Sequence, residues 1–283
     1  MIKIFADSTC DLPEELIKSY DITIIPLSIV LDDNAYMDMV EINPDEIYEW
    51  SDKHNTTPKT SSPTIEQVIE KFEPVIKAQD EIIVFAISED MSTTANVMRL
   101  AASALEASQK VTVIDSMNLS TGIGLLVIKA CELAKLGKSR IEILEEINNL
   151  IPKVRASFVV DTLTYLHRGG RCSATAALFG NVLQLKPKIV VENGKMDAAN
   201  KYRGKQEKVI LKYVKDLEPF LNKADSSRVF ITHSGCDEAI IETVYNLIKE
   251  KNYFKEILVT RAGGVISSHC GYGTLGVLFI ENA

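Results

Sequence analysis

Glu81-Ile82-Ile83-Val84-Phe85-Ala86-Ile87-Ser88 is the stretch that decides the fold. Its unbroken apolar run lacks the two-residue alternation of a half-solvated strand, so both faces must be buried, as in parallel strands held between helix layers. Working outward, residues 2–6, 22–29 and 110–115 repeat the pattern. Helical stretches separate these runs and carry start and stop signals. Asn43 precedes Pro44, with Glu46 at the third position; Ser62 or Thr64 opens a run to about residue 77; Ser139 and Glu142 form a capping box after the stop at Gly137. Such a βαβ series predicts a three-layer α/β/α domain with a mainly parallel sheet.

The pattern changes near residue 155. Residues 156–162 form an expected strand, followed by a small-residue helix around 173–185. Asn193-Gly194 marks a tight hairpin, so antiparallel pairing enters here. Helical patterns at 204–222 and 237–251 are interleaved with strands near 228–233, 256–260 and 275–280. The expected organisation is an α/β chain of two domains, 1–155 Rossmann-like and 156–283 a smaller two-layer α/β domain with a mixed sheet.

The 283 residues, 46% hydrophobic and 25% charged, are enough for a substantial core. A net charge of −8 argues against a phosphate-backbone partner, so nucleic acid is not expected. No apolar run reaches the roughly 18 residues of a membrane span, and residues 1–7 pattern as a strand, not a signal peptide. Cys10, Cys131, Cys172, Cys236 and Cys270 are scattered, with no Cys-x-x-Cys. That spacing points to free thiols in a reduced cytoplasm, with neither zinc nor a disulfide framework.

In open α/β sheets ligands sit beyond the carboxyl ends of strands, and here those ends are rich in hydroxyls. Asp7-Ser8-Thr9, Ser88 with Ser92-Thr93-Thr94, and Asp115-Ser116 follow three strands, while Thr60-Ser61-Ser62-Pro63-Thr64 precedes a helix. Each cluster can cap a helix, and capping is compatible with a shared binding edge. Arg168-Gly169-Gly170-Arg171 puts two guanidiniums around two residues without side chains, a seat for an anion or a simple turn. Gly271, Gly273 and Gly276 match G-x-G-x-x-G, but only seven residues follow and they pattern as a closing strand, so no dinucleotide site is expected. His269 and Cys270 are adjacent; in extended chain they face opposite ways, which argues against a nucleophile–base pair. There is neither a phosphate-binding G-x-x-x-x-G-K-[ST] loop nor a G-x-S-x-G elbow.

In this order and spacing, Asp7-Ser8-Thr9 with Asp11-Leu12-Pro13, Thr60-Ser61-Ser62-Pro63, Ser88 through Thr94, Asp115-Ser116, Leu166 to Arg171 and the turn His269 to Gly273 resemble the DegV family of bacterial fatty-acid-binding proteins along essentially the whole chain. The resemblance implies a carrier, not an enzyme, with a long-chain fatty acid buried between its domains and no other cofactor. Its partner would be a separate ATP-dependent fatty acid kinase that makes the acyl phosphate. By position, Thr60 or Ser61, Ser92 and His269 would bind the carboxylate. Arg203 would meet the phosphate and partner, and Arg171 would add positive potential. The chain departs from the family pattern at Ser62, Thr93 and Tyr272, where glutamine, glycine and proline are common. Ile123, Leu125, Leu126 and Val127, with Ala177, Leu178, Phe179 and Leu183, are apolar candidates for lining the tail. Two other classes fit the residues: a lipid hydrolase or acyltransferase with Ser92 as nucleophile and His269 as base, and a sensor of some other small anion.

Overall fold

A computed structural model describes residues 1–172 and 185–282. Strands β1 (Ile2–Asp7), β2 (Thr23–Ile25), β6 (Glu81–Ala86) and β7 (Val111–Asp115) form a parallel sheet in the order β2-β1-β6-β7. Helices α3 (Ile65–Lys77) and α4 (Thr94–Ala104) cover one face through Val68, Phe72, Ala95 and Met98. On the other face lies α5 (Thr121–Lys135), whose residues Thr121–Ile128 are all buried. A helix apolar all round must be enclosed on every side, and α5 is shared between both halves of the molecule. Its core cluster runs from Ile4 and Phe85 through Leu126 to Phe158, Ile189, Phe230 and Leu278.

The second sheet begins at β8 (Val154–Val159) and has the order β10-β9-β8-β13-β11-β12, with β9 (Leu185–Glu192), β10 (Lys195–Arg203), β11 (Ala224–His233), β12 (Glu256–Arg261) and β13 (Leu275–Glu281). Only β11 and β12 run parallel; the other pairs are antiparallel. The hairpin β9–β10 turns at Asn193 and Gly194, both at positive φ, as its Asn-Gly pair demands. Helices Gln206–Asp216 and Glu238–Lys249 cover one face of this sheet, around Val209, Tyr213, Val244 and Ile248. The other face meets α5 and the first half. The molecule is thus a mixed α/β fold with one parallel and one mixed sheet.

Local capping follows the sequence. Asn43 and Glu46, Thr64 and Gln67, and Ser139 and Glu142 each complete a capping box. Two expectations need correction. The expected strand 22–29 is broken at Pro26, which has no N–H for a ladder. After it the chain joins a separate antiparallel sheet, β4-β3-β5, made of β3 (Ser28–Leu31), β4 (Asn34–Met37) and β5 (Lys59–Ser61). The turn around His269 is in fact the end of a helix, Gly264–Cys270, closed by Gly271 at φ 77°. The expected helix at 173–185 lies almost wholly outside the described residues.

Candidate functional site

β5 and the helix Gly264–Cys270 bring the first pair of site residues together. Thr60 Oγ1 lies 2.9 Å from His269 Nε2. The other ring nitrogen, Nδ1, is covered and has no hydrogen-bond partner among the described residues. A proton there would be a buried donor with nothing to donate to, which costs more than an idle lone pair. The proton therefore belongs on Nε2, which donates to Thr60 Oγ1. Burial, then the nearby Arg171 guanidinium, lowers the imidazole pKa to about 4. At neutral pH His269 is a neutral donor.

The arginine segment supplies the wall behind this ring. It is not a free loop but the end of the short helix α7 (Thr164–Gly169), with Gly170 as left-handed cap at φ 67°. A Cβ on Gly169 would stand 2.3 Å from His269 Nδ1. Gly169 is needed for close approach and Gly170 for its backbone. Arg171 Nη1 donates to Gly169 O at 2.7 Å, satisfying a carbonyl at the helix end.

The second half of the seat is a set of hydroxyls. Thr60 lies in β5 and Ser62 is the first residue after that strand. Ser62 Oγ lies 3.4 Å from Ser92 Oγ and 2.8 Å from Thr93 Oγ1, and Ser92 Oγ lies 2.8 Å from Thr94 Oγ1. Ser92 Oγ also accepts from the Thr94 N–H at 3.3 Å, so its capping role and its place in the seat coexist. This network stands over the first turn of α4, which carries no acidic residue. Ser62 joins this candidate set although sequence reasoning singled out only Thr60 and Ser61 of its cluster, which also fits a helix cap; Thr64 is the actual cap. The departures at Ser62 and Thr93 hydrogen-bond each other, and Tyr272 packs edge-on against Tyr48.

Ser61 is not drawn in. It is exposed and takes the opposite face of β5 from Thr60. Arg203 is exposed at the end of β10, in a groove shared with Lys201, Lys208 and Lys212. A hydrolase would need the imidazole against Ser92; instead the ring meets Thr60, while Ser92 meets other hydroxyls. Because residues 264–270 are helical, the argument that placed His269 and Cys270 on opposite faces of extended chain does not apply. The Cys270 thiol is held protonated by burial, its pKa pushed up to about 12.

Beside the His269 helix is an apolar seam lined by Leu119, Phe158, Ile266, Cys270 and Leu278, with a cavity of about 20 Å³. Ile123, Leu125, Leu126 and Val127 are buried in the core behind it. Ala177, Leu178, Phe179 and Leu183 lie outside the described residues. No helix among the described residues is long and apolar enough to cross a membrane.

Fold and candidate site define a two-lobed α/β protein with clustered hydroxyls and one neutral imidazole, the imidazole carried on a helix that also borders an apolar seam. Residues 1–282 match the family described as uncharacterised protein, DegV family, and the chain belongs to that family. A DegV domain-containing protein of Clostridium acetobutylicum is 37% identical over 282 residues, covering 99% of this chain and 98% of that one. Among solved structures, a fatty-acid-binding DegV family protein from Thermus thermophilus superposes with a TM-score of 0.91 at 31% identity, covering 99% of both chains. A stearic acid-binding protein from Eubacterium ventriosum gives a TM-score of 0.87 at 27% identity, covering 99% of this chain and 98% of the other.

Proposed function

We propose that this protein is a non-enzymatic cytoplasmic carrier. It binds a long-chain fatty acid between its lobes and presents the carboxylate to a separate ATP-dependent fatty acid kinase. The observation that carries the reading is the seat itself. Thr60 pairs with a neutral Nε2–H donor and Ser62, two residues further on, with Ser92; the Arg171 guanidinium lies close by, and an apolar seam runs beside the His269 helix. Short hydroxyl donors suit a carboxylate, which is costly to bury unpaired. Each buried methylene contributes about 0.8 kcal/mol, so a tail of roughly 16 carbons contributes on the order of 12 kcal/mol gross. The affinity is in the tail and the orientation in the head. An alkyl tail needs far more room than the seam offers, so binding must part its side chains.

The fatty-acid binding of the Thermus and Eubacterium relatives supports the ligand class. In the kinase step the carboxylate oxygen would take the γ-phosphoryl group of ATP, with ADP leaving, and the head would gain negative charge. Arg171, whose charge already reaches His269, is then better matched. The cationic groove around Arg203 is the face offered to the phosphate and the partner.

Purified protein is expected to carry fatty acid from its expression host, seen by mass spectrometry of the denatured sample. A lipid-free sample that also takes up no palmitate overturns the reading. With the kinase present, Ser92→Ala and His269→Ala should each lower acyl-phosphate formation by about tenfold, the scale of one hydrogen bond to a charged group. Unchanged turnover in both removes these residues from the head-group site.

A further inference from the structure

The helix that carries His269 is anchored from the opposite half of the chain by two buried carboxylates. The Gly263 N–H donates to Asp11 Oδ1 at 2.8 Å, and the Gly264 N–H donates to Asp38 Oδ1 at 2.8 Å. Each carboxylate is itself oriented by a hydroxyl. Asp11 Oδ2 and Ser120 Oγ share a hydrogen bond at 2.5 Å, and Ser8 Oγ donates to Asp38 Oδ2 at 2.7 Å. Thr260 Oγ1 adds a bond to the Asp11 carbonyl at 2.9 Å. The fit is close: a Cβ on Gly264 would stand 2.5 Å from Ile29 Cδ1 and 2.9 Å from Asp38 Oδ1.

From Gly264 to His269 the helix rises about 7.5 Å, one and a half turns of rigid backbone. At its far end the imidazole has, among the described residues, one polar contact, with Thr60, and touches Gly169 with no space to spare. A small tilt at the anchored end therefore moves Nε2 out of reach of Thr60. We infer that Asp11 and Asp38 are positioning residues, which act through the Gly263-Gly264 amides to hold His269 Nε2 at the ligand seat. The inference rests on the fatty-acid reading above and assigns the two carboxylates a part in it.

A double-mutant cycle on lipid-stripped full-length protein, read as affinity for palmitate, tests it. Asp38→Ala and His269→Ala should each weaken binding by about tenfold, while the double variant stays within about threefold of His269→Ala, because an anchor acting only through the ring has nothing left to orient. Asp38→Asn, which keeps one acceptor for the Gly264 N–H, should restore binding most of the way. Additive losses in the double variant overturn the positioning role while leaving the fatty-acid reading intact. If His269→Ala binds palmitate as well as the parent, the head-group reading fails, and this inference with it. Should Asp38→Ala not fold, Ser8→Ala loosens Asp38 more gently, and the same cycle decides: non-additivity supports the role and additivity overturns it.

Discussion

Gly169→Ala is expected to weaken palmitate binding by about ten- to hundredfold, the range for losing a hydrogen bond to a charged group. The added methyl would lie 2.3 Å from His269 Nδ1, 3.1 Å from Cε1 and 3.4 Å from Cγ. These are ring atoms, on a side chain whose other edge is committed to Thr60. The ring must swing away, taking Nε2 from the seat. Gly170→Ala is the matched control. A Cβ there meets nothing within 4 Å, but φ is +67°, so it should cost about 1–2 kcal/mol of stability with little change in affinity. Titration of stripped protein and a thermal melt separate the two. If both alanine variants bind as the parent does, Gly169 has no part in shaping the seat.

The close approach of Gly169 to His269 is a product of the fold, and other features divide along the same line. The parallel strands are legible in the sequence because burial on both faces leaves an unbroken apolar run, as at Ile82–Ile87. The hairpin at Asn193-Gly194 and three capping boxes are legible because their chemistry is local. The helix Gly264–Cys270 is not. It opens with two glycines, poor helix formers, and the acceptors for their amides are Asp11 and Asp38, 252 and 226 positions away. Asp11 stands in a motif that the sequence displays, but its partners could only come from the fold. The sheet β4-β3-β5 is hidden because its strands are short and only partly buried. For the site, strand alternation could have separated Thr60 from Ser61. The pairing of Ser62 with Ser92 brings together residues 30 positions apart and has no local sign.

The buried acids also make stability depend on pH, with Asp11 carrying a more alkaline share than Asp7. Burial, partly offset by the Ser120 and Gly263 hydrogen bonds, raises the Asp11 pKa from 3.8 to about 8. The folded protein therefore keeps a proton that the unfolded chain has already released above pH 4. The stabilisation is fully present below the unfolded value and is lost as pH rises through about 8, because the charged form must then be held in the interior. Asp7, raised to about 6 by burial, loses its share earlier. His269 and His233, both lowered to about 4, act in the opposite sense and below pH 6.5, where the unfolded chain takes up protons first. Buried thiols such as Cys270 add to the alkaline loss, and because the Asp11 charge helps to raise that thiol, Asp11→Asn also moves its share.

The difference between the parent and Asp11→Asn therefore reports Asp11 together with the buried groups its charge reaches, Cys10 and Cys270 among them. The amide does not ionise, so the variant should gain on the parent from pH 6.5 to about pH 8 by about 2 kcal/mol and no further above it, since holding a proton against each successive pH step of one is worth about 1.36 kcal/mol. Thermal melts at matched ionic strength would show this as a parent midpoint that falls by several degrees while that of Asp11→Asn stays more nearly level, at roughly 2 °C per kcal/mol for a chain of this size. Parallel profiles would mean that Asp11 is ionised in the folded protein at neutral pH. The Gly263 amide would then be held by a charged acceptor, not a protonated one, and replacement by asparagine should loosen the His269 helix as well.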